Sequence, residues 1–203
     1  MNKINDNKRL YLIFLCLALT TVFLIAGALI VNEQIRYGFY QNTIDMKQEY
    51  YKDSVESWKN NIDMMRHHIR ILHPDWTDEQ EKEFITQFLR KSFYDMSSDD
   101  NSRIWIKEIK NYDGGDEYAI RLVHPNFRNL EGEFLSTNKD DGAGNYPYRE
   151  ELEGINKNGS VFLTYQLQDY NTGKISMKFR YSSLYKDYNW IISRGVTLDE
   201  IDS

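Results

Sequence analysis

The chain has 203 residues, 31 acidic against 25 basic, and a formal net charge of −6. Its length suits one folded domain, and its acidic balance argues against a surface built for nucleic acid or anionic lipid. The only cysteine, Cys16, lies in an apolar run, so the remainder has no internal disulfide and must rely on a core in which aromatic residues are plentiful.

Residues 1–9 form a short leader with Lys3, Lys8 and Arg9. Residues 10–31 carry no charge and, at about 1.5 Å per residue, would span about 33 Å as a helix, enough to cross a bilayer core. The run is longer than the apolar region of a cleaved signal peptide, which favours a retained anchor. Basic residues before it and Asn32-Glu33 after it predict a cytoplasmic N-terminus and an extracytoplasmic remainder.

Residues 32–74 read as a long membrane-proximal helix, followed by the rest of the domain over 75–203. Tyr51, Val55, Trp58, Ile62, Met65, Ile69 and Leu72 recur at steps of four and three, forming one helical stripe. That stripe is expected either to pack on the domain's own sheet or to form a homodimer seam with heptad spacing. His73-Pro74-Asp75 ends the helix, and Thr77-Asp78-Glu79-Gln80 reads as a capping box opening another. Phe84, Ile85, Phe88, Leu89 and Phe93 give this second helix its apolar face, and residues 95–102 read as a polar loop.

From Arg103 the period changes from helical to alternating. Residues 103–110 and 118–124 predict a hairpin around Asn111-Tyr112-Asp113-Gly114-Gly115-Asp116. Residues 125–147 are glycine- and Asn/Asp-rich and predict a loop with at most short elements. A short helix over 148–156, ended by Asn158-Gly159, precedes strands over 160–168, from Ile175 through Tyr181, and over 188–197. This order predicts an α+β domain on an antiparallel sheet.

Gly114-Gly115-Asp116-Glu117-Tyr118 resembles the signature turn of diguanylate cyclases. The residues upstream supply neither the second metal-binding aspartate nor the nucleotide segment that chemistry needs, so ordinary turn chemistry is the better reading. His67, His68 and His73 have no acidic or histidine partner at a ligand spacing, which predicts no metal site. No nucleophile elbow, phosphate loop or cysteine pair points to an enzyme or a cofactor. Asn158-Gly159-Ser160 matches a glycosylation sequon but is already explained as a turn.

Several segments of the last hundred residues follow in an informative order. Arg121-Leu122-Val123-His124-Pro125-Asn126 comes first, then Glu131-Gly132-Glu133-Phe134-Leu135, then a segment from Asn158 to Tyr165, and finally one from Tyr185 to Ile201 that includes Trp190, Gly195 and Asp199-Glu200-Ile201. Behind a membrane helix and a long helix, this order resembles the single Cache family of bacterial extracellular sensor domains. The likeness spans about 33–203 and is loosest over 75–100.

That resemblance implies a PAS-like antiparallel sheet of five to six strands, with the long helix on one face and a small-molecule pocket on the other. It also implies a non-catalytic sensor region of a membrane receptor in which ligand binding shifts the helices. Such receptors normally continue through a second membrane helix into a kinase, cyclase or chemotaxis module. This sequence stops at Ser203, so the expectation is either a portion of a receptor or a sensor that signals through a partner.

For the site, alternation sets Arg121 beside Ala119 and Val123, either paired to an acid or held ready for an anion. A guanidinium that leads into His124-Pro125 is suited to a small organic ligand bearing a carboxylate. Trp105 and Tyr165 are the expected aromatic walls, with Tyr146 and Tyr148 on a covering loop. The competing reading is a membrane-anchored scaffold that binds another protein through a tyrosine-rich sheet surface.

Overall fold

The computed structural model describes residues 3–96, 103–168 and 175–197. Two compact units divide the chain, Met1–Met46 and Lys47–Ser203. The first is helical throughout its described part and includes the apolar run, the one helical segment among the described residues long and apolar enough to cross a membrane.

α1 covers Lys3–Leu72, α2 Asp78–Met96 and α3 Pro147–Asn158. The strands are β1 (Arg103–Ile109), β2 (Ala119–Val123), β3 (Phe134–Leu135), β4 (Ser160–Gln168), β5 (Ile175–Tyr185) and β6 (Trp190–Thr197). They form one antiparallel sheet in the order β3-β2-β1-β6-β5-β4. The architecture is the α+β, PAS-like one expected. The predicted turn between β4 and β5 and the end of the polar loop after α2 lie outside the described residues.

α1 and α2 cover one face of the sheet. Tyr51, Val55, Ile62 and Ile69 of the predicted stripe are buried against Phe179, Tyr181, Trp190 and Ile192 of the sheet, with Trp58 and Met65 packed at the edge. The stripe therefore packs on its own domain. Leu72 departs from it, 70% exposed at the helix end. Within α2, Ile85, Leu89 and Phe93 enter the core while Phe84 and Phe88 stay half exposed, so the buried face is narrower than predicted. The capping box forms as expected: the Gln80 amide donates to Thr77 Oγ1 at 3.3 Å, and the Thr77 amide donates to Gln80 Oε1 at 2.9 Å.

α2 is tied down at its start by Glu81, buried and accepting from Arg66 Nε at 2.9 Å and Arg70 Nε at 2.8 Å. Burial opposes its ionisation, but Arg70, Tyr188 and Arg66 outweigh it and hold the carboxyl down to about 2.

α3 covers part of the opposite face. Leu152 and Ile155 pack with Ile109, Ala119, Leu135 and Ile191 in a second, smaller core. Gly159 caps α3 in the left-handed region at φ 75°, which accounts for the Asn158-Gly159 stop signal. The Gly114-Gly115 pair sits in the β1–β2 turn, both at positive φ, with the Gly115 amide donating to Thr137 Oγ1 at 2.8 Å. That is the turn chemistry its residues suggest.

β5 and β6 join the two faces. On β5, Ser182 lies on the α3 side, donating to Glu151 Oε1 at 2.7 Å, while Ser183 lies on the α1 side, donating to Glu56 Oε1 at 2.7 Å and accepting from Lys59 Nζ at 3.0 Å. On β6, Ser193 bonds Ser182 at 2.8 Å, and the next residue, Arg194, donates to Ser54 Oγ at 2.6 Å. Each strand thus carries one residue toward the site and its neighbour toward α1.

Candidate functional site

The sheet face not covered by α1 and α2 opens, beyond the start of α3, into a cavity of about 370 Å³. Its floor comes from β1, β2, β4 and β5, and its cover from the segment 124–142 and the first turn of α3. Five of the six residues singled out in the sequence line it: Trp105, Arg121, His124, Tyr148 and Tyr165. Tyr146 is not among the lining residues; it precedes α3, where its ring lies 4.2 Å from the Arg149 guanidinium carbon. Tyr148 belongs to the helix rather than to a covering loop, because Pro147 opens α3 one residue earlier.

Arg121 reaches the cavity by regular alternation with Ala119, and a local irregularity follows it. The β1–β2 register pairs Ile106 with Val123 but Lys107 with Arg121, so Leu122 is an extra residue in a bulge. Val123 therefore turns into the helix-side core instead of sharing the face of Arg121. The Arg121 guanidinium donates to Leu130 O at 3.0 Å and lies 3.5 Å from Glu133 Oε2, so it is partly paired.

Three residues the sequence reading passed over dominate the electrostatics. Glu151 of α3 is fully buried and paired with Lys107 Nζ; Arg180 Nη2 lies 3.5 Å from its other oxygen. Arg180 also donates to Pro147 O at 2.8 Å and Tyr165 Oη at 3.4 Å. Burial disfavours the Glu151 carboxylate, yet the positive Arg180 and Lys107 prevail and hold its pKa below the usual range. Burial likewise pushes the Lys107 ammonium down to about 8, with Glu151 only partly offsetting it.

Lys107 and Arg180 both line the cavity and are each 2% exposed. Together with Arg121 they place three cations against the two carboxylates Glu151 and Glu133, leaving one positive charge uncompensated. Among the other lining residues, the two cations Lys139 and Lys178 are equalled in number by Asp140 and Asp141. Arg180 Nε is buried without a hydrogen-bond partner, a state that costs about 1–3 kcal/mol. Gly195 makes room for this side chain, since a Cβ there would come within 2.4 Å of Phe179 O and 2.7 Å of Arg180 Cβ.

His124, 8% exposed, stacks on Trp105 at 5.5 Å and lies 4.6 Å from the Phe127 ring. Burial, aided by Lys178, Arg121 and Lys107, holds its imidazole pKa down to about 2. The folded state thus keeps His124 neutral while the unfolded chain takes up a proton below its ordinary 6.5. Stability is expected to fall as pH drops from 6.5 toward 5, by about 1.4 kcal/mol per unit from this group once well below 6.5. Urea denaturation across that interval should show a shallower slope in His124→Asn; an unchanged slope would remove His124 as its source.

A helix-backed antiparallel sheet whose other face borders a small cavity is the architecture of a PAS-like sensor domain. Residues 73–202 match the family model described as Cache domain, and the chain belongs to that family. It is thereby a sensor domain of the signal-transduction type, with a ligand-sensing role. The match begins at the end of α1 and includes α2, where the sequence resemblance was loosest.

Solved structures with this fold include one described as the structural basis for carboxylic acid recognition by a Cache chemosensory domain. It is 18% identical at TM-score 0.59, over 78% of this chain and 98% of that one. A methyl-accepting chemotaxis protein from Vibrio parahaemolyticus is 18% identical at TM-score 0.54, over 80% of this chain and 96% of that one. A periplasmic sensor domain of a chemotaxis protein is 15% identical at TM-score 0.51, over 72% and 94% respectively.

Proposed function

We propose that the protein is a membrane-anchored extracytoplasmic sensor whose cavity receives a small carboxylate-bearing ligand on Arg180 and Arg121. The observation that carries this reading is the buried, unpartnered Nε of Arg180 in a cavity with one uncompensated positive charge. A carboxylate answers both the missing acceptor and the excess charge. The structurally similar domain described for carboxylic acid recognition supports the same chemistry. The scaffold alternative has less to draw on, since Tyr165, Tyr181, Tyr185 and Tyr188 are all buried.

A thermal-shift screen with short-chain carboxylates tests the assignment. A ligand at 100 times its dissociation constant stabilises by about 2.7 kcal/mol. Arg121→Ala and Arg180→Met should each abolish the shift and leave a cooperative unliganded transition; normal binding by Arg121→Ala would make that residue structural and cost the reading its main sequence support.

The basic leader and uncharged run support a cytoplasmic N-terminus with residues 32–203 outside. A reporter active only outside the cytoplasm, fused after Ser203, is expected to be active. Activity of a cytoplasmic reporter at that position would reverse the orientation.

A further inference from the structure

Among the described residues, buried side-chain atoms without a hydrogen-bond partner are Arg180 Nε, His124 Nδ1 and Trp190 Nε1. Trp190 belongs to the helix-side core. Arg180 and His124 line the same cavity, from different strands and with different chemistry: one is a fixed cationic donor, the other a ring nitrogen that donates or accepts according to tautomer. A plain carboxylate satisfies the first and leaves the second bare.

Two groups are suited to a neutral imidazole, a hydroxyl and an ammonium. The charges around His124 separate them. Lys178, Arg121 and Lys107 all oppose positive charge on the ring, and the contact between His124 and Glu131 is a backbone one, from the His124 amide at 2.6 Å. An ammonium seated there would meet the same three cations. A hydroxyl brings no charge and serves either tautomer.

Resting on the carboxylate reading above, we infer that the cavity selects a short hydroxy acid over the corresponding plain or amino acid, with the carboxylate on Arg180 and the hydroxyl on the His124 ring nitrogen. The volume of about 370 Å³ accommodates such a molecule with bridging water.

Titration calorimetry of the full chain in detergent micelles tests this with propionate, 2-hydroxypropionate, 3-hydroxypropionate and alanine. At least one hydroxypropionate is expected to bind about tenfold or more tighter than propionate, and alanine more weakly than propionate. His124→Phe should bring the hydroxypropionates level with propionate measured on the same variant. If that variant does not fold, His124→Asn, which keeps a polar partner, should retain hydroxy-acid binding with an altered ratio to propionate.

Equal binding of propionate and both hydroxy acids, or alanine binding as tightly as the better hydroxy acid, overturns the inference and leaves the carboxylate reading standing. A preference unchanged in both histidine variants overturns the role of His124. Failure of every carboxylate to bind overturns both readings.

Discussion

Replacing Glu151 with alanine is expected to destabilise the domain by about 3–5 kcal/mol, the range for removing one partner from a buried ion pair. Glu151 is fully buried and is the acidic side chain that both Lys107 and Arg180 contact, and it also accepts from Ser182. Without it, two cations remain in the interior with no ion-paired carboxylate among the described residues, and burial already disfavours the charge on Lys107. Lys107→Met should cost less, because Arg180 and Ser182 continue to hold the carboxylate. Urea midpoints for the two variants and the wild type check this directly. Equal losses would mean that Lys107, rather than the excess of cations over one acid, sets the energetics of the cluster.

Ile62→Asp is expected to cost about 4 kcal/mol or more. The residue is 0% exposed in the core between α1 and the sheet, so the substitution both opens a cavity and strips water from a carboxylate with no partner. Circular dichroism melts and sedimentation of the same variant separate two roles for the stripe. Lost stability marks it as core; wild-type melting with lost self-association would mark it as a dimer seam.

Legibility in the sequence followed the strength of the local period. The stripe in α1, the capping box of α2 and the alternating strands were readable because burial on one face imposes a repeat. β3 was not, since two residues carry no period and one of them, Phe134, is half exposed. Five of the six candidate residues line the cavity, and they drew notice because they are aromatic or stand at the His-Pro end of β2. The Lys107–Glu151–Arg180 cluster was missed because charges in a strand or helix usually mark a solvated face. A signal was nevertheless present: Lys107 alternates with Trp105 and Ile109, and Glu151 falls within the stripe of Tyr148, Leu152 and Ile155. A charge placed where the period demands an apolar residue is what a buried polar site looks like in one dimension. The bulge at Leu122, which sent Val123 to the other face, left no mark of its own.

The seating of neighbouring β5 residues on opposite partners, Ser182 on Glu151 and Ser183 on Glu56 and Lys59, has a thermodynamic corollary. If occupancy of the cavity changes the strength of the Ser183 bonds, then by reciprocity anything that strengthens or weakens those bonds changes affinity for the occupant by the same factor. Clamping the stretch around Glu56 and Lys59, by a cross-link or by a neighbouring helix, would then retune the cavity without touching it. A dissociation constant measured on a detached domain would belong to that detached state, and its ratio to the value in the full chain would measure the coupling between the helix and the ligand.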